Sequence, residues 1–246
     1  MAARTHEQDL SAALLELADT LTSDYDVVDY LDRLLHYSCG VMQAPAGGVM
    51  LDNGRGSLAV MASTDERMRL LEVLEVQGDE GPCVDAYRSG ERVVVGDLRG
   101  SRQWPGFTPM ASERGIAAVC AFPLRWRDHS IGALNLFRDE PGALEPRQLQ
   151  AAQALAQMAA IGILQERAVR EARELTAQLQ TALHSRIVIE QAKGILAERG
   201  GFDMGAAYEA LRWYCRTRNL RLRQTAGAIT ADPSVADEVI ADQRTD

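Results

Sequence analysis

Lys193 is the only lysine among the 26 basic residues of this chain; the other 25 are arginines. Where arginine is used throughout, a compact ammonium on a flexible stem suits a place that wants a point charge rather than a planar fork; the alternative is that one lysine survived by chance. It sits in the one basic stretch. Residues 184–230 carry 8 Lys or Arg against 4 Asp or Glu, whereas residues 1–165 carry 14 Arg against 23 acids, and the segment from Ala231 carries 1 Arg against 5 acids. Clustered cations are the electrostatic footprint of a polyanion site, which an acidic first half does not suit. An excess of four charges over 47 residues is also what an ordinary solvated surface carries, so charge alone leaves both readings open.

Cys83 has the second chemically suggestive setting. It follows Gly81-Pro82 at an expected helix start, where a thiol ionises more readily; the competing reading is a small buried hydrophobe. Cys39, Cys83, Cys120 and Cys215 form no Cys-x-x-Cys pair, which argues against zinc and against a disulfide framework. His6, His36, His129 and His184 match no metal or hydrolase spacing. Reading His184 as a phospho-acceptor requires a kinase domain after it, but only 62 residues follow and no Walker loop occurs. Neither a catalytic residue nor a metal ligand is expected; the cofactor is unknown, with His36 the one histidine left open for heme. No run of 18 apolar residues occurs and Met1 to Gln8 lacks a signal-type apolar core, so a cytoplasmic chain without a membrane span is expected.

With 46% hydrophobic and 25% charged residues, the chain suits one large or two modest globular domains. Helical spacing predicts helices over 8–22 and 26–42, the second capped by Asp26. Two strands, 47–52 and 57–62, flank the turn signal Asp52-Asn53-Gly54-Arg55-Gly56. A helix over 65–76, a short one opened by Pro82, a strand at Val93–Val95, a loop with Trp104 and Phe107, and strands near 117–124 and 131–137 complete an α+β domain with a mostly antiparallel sheet. From Pro146 to about 199 no proline interrupts a long helix. Ala168, Ala172, Leu175, Leu179, Ala182 and Ile189 fall on a 4-3 spacing, broken by Arg186, which suits a coiled-coil seam and a homodimer; the alternative is a single helix packed on its own domain. Gly200-Gly201 ends it, and helices over 203–218 and 222–230 follow, with an unstructured tail expected over 231–246.

Ser185-Arg186-Ile187-Val188-Ile189-Glu190-Gln191-Ala192-Lys193-Gly194-Ile195-Leu196, then Ala207-Tyr208, Leu211-Arg212 and Asn219-x-x-Leu222, closely resemble an ANTAR domain, with Lys193 inside the family's Ala-Lys-Gly motif. One departure is Gln224-Thr225-Ala226, which stands where the family has an acidic or small residue before Val-Ala and implies altered packing. Gly81-Pro82-Cys83-x-Asp85-Ala86, Asp97-Leu98 ahead of Trp104-Pro105, Val119 to Leu124, and Ile131-Gly132-Ala133-Leu134-Asn135-Leu136 resemble a GAF domain. The resemblances imply a GAF sensory domain over 8–165, a connecting coiled-coil helix over 166–185 and an all-α three-helix ANTAR domain over 186–230. The function implied is transcription antitermination through RNA stem-loops in nascent transcripts, under control of a small-molecule or redox signal at the GAF domain.

RNA binding needs phosphate-facing cations and groups that read unstacked bases. Arg186, Gln191, Lys193, Arg212, Arg216, Asn219 and Arg221 supply donors, and Gly194 would let a nucleotide approach the helix closely. Trp213 and Tyr214 could stack on bases, but adjacent helical residues face different directions, so one belongs to the core. The expected GAF pocket gathers Cys83, Asp85, Trp104, Phe107 and Cys120. Two other classes are kept open: a DNA-binding transcriptional regulator, and an interaction protein that binds no nucleic acid.

Overall fold

The computed structural model describes residues 2–243. The chain divides into two units, 1–168 and 169–246.

In the first unit, α1 (Ala2–Thr20) and α2 (Val27–Met42) precede β1 (Ala46–Asp52) and β2 (Leu58–Ser63), and α3 (Glu66–Gly78) and α4 (Pro82–Ser89) lead to β3 (Val93–Val95). Then come α5 (Phe107–Glu113), β4 (Ala118–Trp126), β5 (His129–Arg138) and the start of α6 (Pro146–Gly200). Each start has a local cause. Asp26 caps α2 by accepting from the Val28 amide at 2.7 Å, Asp65 caps α3 by accepting from Met68 at 2.9 Å, and Pro82 opens α4. Helix α5, which the sequence reading treated as loop, is capped instead from a distance: the Glu80 carboxylate accepts from the amides of Gly106 and Phe107.

The five strands form one antiparallel sheet in the order β2-β1-β5-β4-β3. Strand alternation gives it two apolar faces. Val49, Leu51, Cys120, Phe122, Leu124, Leu134 and Leu136 pack against α1, α2 and the first part of α6. Met50, Val119, Ala121 and Ala133 point the other way, toward α3, α4 and α5. Gly162 of α6 is a close-approach glycine, since a Cβ there would come within 2.4 Å of the Tyr30 ring. The Tyr30 and Tyr25 hydroxyls donate to the carbonyls of Met158 and Gly162, at 2.8 and 2.6 Å.

In the second unit, α6 breaks at Gly200-Gly201, with Gly201 at φ 68°, and Asp203 caps α7 (Met204–Thr217) through the Ala206 amide at 2.7 Å. Helix α8 (Leu222–Ala231) follows. Ala192, Leu196, Ala207, Ala210, Leu211, Ala226 and Ile229 are fully buried in its core.

The expectation of an unstructured tail over 231–246 is corrected for its described part: Val235–Gln243 form a helix, α9, and residues 244–246 lie outside the described residues. Ala236, Val239 and Ile240 follow helical spacing and are buried in the second unit's core. Its acids are matched by groups distant in sequence. Asp237 holds Arg199 at 3.0 and 2.7 Å, Asp242 holds Arg218 at 3.1 Å, and Glu238 accepts from the Tyr214 hydroxyl at 3.2 Å.

Candidate nucleic-acid interface and sensor core

Arg186, Glu190 and Lys193 follow one another at spacings of four and three, so they share one stripe of α6. Tyr208, Arg212 and Arg216, four apart, form one stripe of α7. Lys193 joins the two stripes. Its ammonium donates to both Glu190 carboxylate oxygens at 3.0 and 2.9 Å and lies 5.5 Å from the centre of the Tyr208 ring. Only 15% of its side chain is exposed, so the position of this charge is held rather than free to swing. Arg186, Arg212 and Arg216 are exposed. Arg212 makes only an exposed pair with Glu209 at 3.7 Å, of the kind that contributes little. The edge therefore offers three available guanidinium groups around one fixed ammonium.

Asn219 ends α7 in the left-handed region, at φ 54°, and Arg221 is the cap residue of α8; both are exposed in the turn that follows Arg216. Gln191 is exposed but lies about 160° around α6 from Lys193 at 3.6 residues per turn. The fold does not bring it to the same edge. Of the two adjacent aromatics, Tyr214 is buried and Trp213 half-buried. Thr225, at the departure from the family pattern, is buried and donates back to the Arg221 carbonyl at 3.3 Å.

Gly194 is inside α6, where glycine costs about 0.5–1 kcal/mol relative to alanine. A Cβ built on it would meet nothing within 4 Å. No contact within the described residues requires a glycine there.

In the first unit, Asp85, Trp104 and Phe107 come together. Trp104 donates its indole N–H to Asp85 Oδ2 at 2.8 Å and meets Phe107 edge to face at 6.0 Å between ring centres. These contacts hold Trp104 at φ 54°, a conformation bulky residues rarely adopt. Cys83 lies in the first turn of α4 on the same face of the sheet. Cys120 does not join them. Strand alternation sends it, with Phe122 and Leu124, to the face covered by α2 and α6.

Of the two readings of Cys83, its burial favours the small buried side chain. Burial, and then the nearby Glu75 and Glu72 carboxyls, push its thiol well above the usual cysteine range, so the helix N-terminus is outweighed. Burial likewise pushes Cys120 up to about 12. All four cysteines are free thiols.

The acids beneath Cys83 were missed in the sequence. Glu75 Oε1 accepts from the Cys83 and Val84 amides at 2.6 and 3.4 Å, and its Oε2 accepts from Asn135 Nδ2 at 3.1 Å. Glu72 is fully buried one turn earlier. The available signal was their phase: Met68, Leu71, Glu72 and Glu75 share the inward face of α3.

The GAF domain family profile matches residues 5–164, and the ANTAR domain profile matches residues 177–229. The chain is a GAF–ANTAR domain protein.

Its GAF unit shares its fold with solved structures. A free methionine-R-sulfoxide reductase from Neisseria meningitidis is 17% identical, with TM-score 0.54, over 69% of this chain and 94% of that one. The GAF domain of a phosphoenolpyruvate-protein phosphotransferase from Coxiella burnetii is 16% identical, with TM-score 0.53, over 67% and 98%. The corresponding domain from Acinetobacter is 15% identical, with TM-score 0.52, over 66% and 97%. At these identities the likeness concerns fold alone. No curated protein matches the chain. A GAF sensor joined to an ANTAR domain is the architecture of a signal-regulated regulator. No described helix is long and apolar enough to cross a membrane.

Proposed function

We propose that this GAF–ANTAR protein binds RNA stem-loops in nascent transcripts through its ANTAR unit and thereby prevents transcription termination, under control of the GAF unit. The observation that carries the reading is the α6–α7 edge. The fixed Lys193 ammonium, the half-buried Tyr208 ring and the exposed Arg186, Arg212 and Arg216 lie within one helix pair, with the Asn219–Arg221 turn following. Guanidinium groups stack on splayed bases and grip phosphates, and a positioned ammonium adds a point charge. Gly194 fits the same reading: it leaves the helix backbone open to close approach at a cost in helix stability.

Dimerisation belongs to this proposal. Leu175 and Leu179, neighbours in the 4-3 pattern, are 57% and 62% exposed, whereas Ile189 at its far end packs on the second unit's core. Exposed leucines on that spacing fit a coiled-coil seam in want of a mate, here a second copy of the chain.

The test is a gel shift of the full chain with an RNA hairpin bearing a single-stranded loop, against duplex DNA of the stem sequence, at several salt concentrations. Retention of the hairpin, weakening with salt, is expected. Preference for the duplex DNA would mean a DNA-binding regulator, and binding to neither would mean a protein-interaction module; either outcome overturns the proposal.

A further inference from the structure

The interior of the GAF unit holds an arrangement that an apolar core does not need. Across the sheet, Ser63 of β2, Gly48 of β1, Asn135 of β5 and Ala121 of β4 stand in one register row. The Glu72 carboxyl fills the space over Gly48, where a Cβ would fall 1.9 Å from its Oε1. Glu72, Glu75 and Asn135 are 0%, 1% and 0% exposed. Both Glu72 carboxyl oxygens and Asn135 Oδ1 are buried without a hydrogen-bond partner.

All three orphan atoms are acceptors. The groups that face the pair are Asp65 and Ser63 beside Glu72, Asn135 between the two acids, and Cys83, the Val84 amide and Asp85 of α4 beside Glu75. No basic side chain is among them. Burial without a basic partner disfavours the ionised form of both acids; at Glu75 the Cys83 and Val84 amides and Asn135 Nδ2 oppose that effect without cancelling it. Ser63 and the Asn135 amide stand beside Glu72 as neutral donors, and a protonated Glu72 adds a carboxylic O–H to a cluster whose orphan atoms are all acceptors; Asn135 also gives an N–H to Glu75.

We propose that Glu72, Glu75 and Asn135 form a proton-binding site inside the GAF unit, whose occupancy sets how firmly α3 and α4 close on the sheet. That this closure regulates the ANTAR unit rests on the function proposed above; the proton site itself does not. Burial pushes Glu75 up to about 8 from an ordinary 4.5, and pushes Glu72 up as well, with the Glu75 charge adding to it. The folded state therefore binds the extra proton between these limits. The Glu75 contribution to stability is full below the ordinary carboxyl range, declines as pH rises across the window and is lost above about pH 8; the Glu72 contribution declines in the same direction.

The experiment uses the full chain, Glu72→Gln, Glu75→Gln and the double variant. Gln keeps the shape and removes the titration. At about pH 6, below the raised range, the parent should show the infrared band of an unhydrated carboxylic acid, each single variant should weaken it, and the double variant should lose it. The parent's urea midpoint should fall as pH rises from about 5 to about 9, while the double variant's stays level and ends the higher of the two. Absence of the band in the parent, or an undiminished pH slope in the double variant, overturns the site. Should the double variant fail to fold, weakening of the band in Glu72→Gln and in Glu75→Gln decides the matter, and an unchanged band in both overturns the site. RNA affinity measured over the same pH range separates the two claims: if no RNA binds at any pH while the band and the slope behave as expected, the proton site stands and the RNA reading falls.

Discussion

The Lys193 ammonium lies 5.5 Å from the centre of the Tyr208 ring and within 3.0 Å of the Glu190 carboxylate, so the chain's only lysine ties α6 to α7 as well as carrying charge. Two roles are combined in one side chain, and they can be separated. Lys193→Ala should weaken RNA binding by about ten-fold or more and flatten its salt dependence. It should lower the stability of the ANTAR unit by only about 1 kcal/mol, the size of a partly exposed cation–π contact and ion pair. Fluorescence anisotropy over a salt series and a urea titration measure the two; unchanged RNA affinity in a folded variant would exclude Lys193 from the interface.

Gly194→Ala gives the opposite pairing of signs. With open space where the methyl group would go, the substitution should stabilise α6 by about 0.5–1 kcal/mol. If a nucleotide approaches the helix at this point, the same methyl group should reduce RNA affinity several-fold. A variant that is both more stable and fully active would show that nothing docks against Gly194.

Trp104→Phe should destabilise the GAF unit by up to about 3 kcal/mol through loss of the hydrogen bond to Asp85, whereas Asp85→Asn, which keeps an acceptor, should cost less. A loss in thermal melts of Trp104→Phe with none in Asp85→Ala would mean that ring volume, and not the Asp85–Trp104 bond, holds the loop before α5.

Leu175→Asp combined with Leu179→Asp should convert the proposed dimer to monomers and weaken binding to paired stem-loops, since two linked sites gain from effective concentration. Sedimentation velocity checks the first part. A dimer that survives both charges would place the interface elsewhere.

Val239→Asp buries a charge under α9 and should destabilise the ANTAR unit by about 3 kcal/mol or more. An unstructured tail would be indifferent to it. Hydrogen exchange at the α7 amides distinguishes the two cases.

Most of the elements, and the order of the two domains, were written locally. Asp26, the Asp52–Gly56 turn, Pro82 and Gly200-Gly201 act on their own neighbours, so their effects can be read from a few residues at a time. Helix α5 could not be read that way, because Glu80 caps it across a gap of 26 residues. Helix α9 looked like a solvated acidic tail because the arginines that answer its acids, Arg199 and Arg218, lie 38 and 24 residues away. In the same way, Lys193 stood out by composition, but its fixed position depends on Tyr208, which reaches it only once α7 folds back on α6. The expected pocket takes Cys120 from a strand edge, yet strand period decides otherwise, since one residue along β4 changes the face of the sheet. The buried acids show the same division. Sequence phase puts Glu72 and Glu75 on the inward side of α3. Only the sheet register, which sets Gly48 and Asn135 opposite them, makes that side a polar chamber rather than an apolar contact.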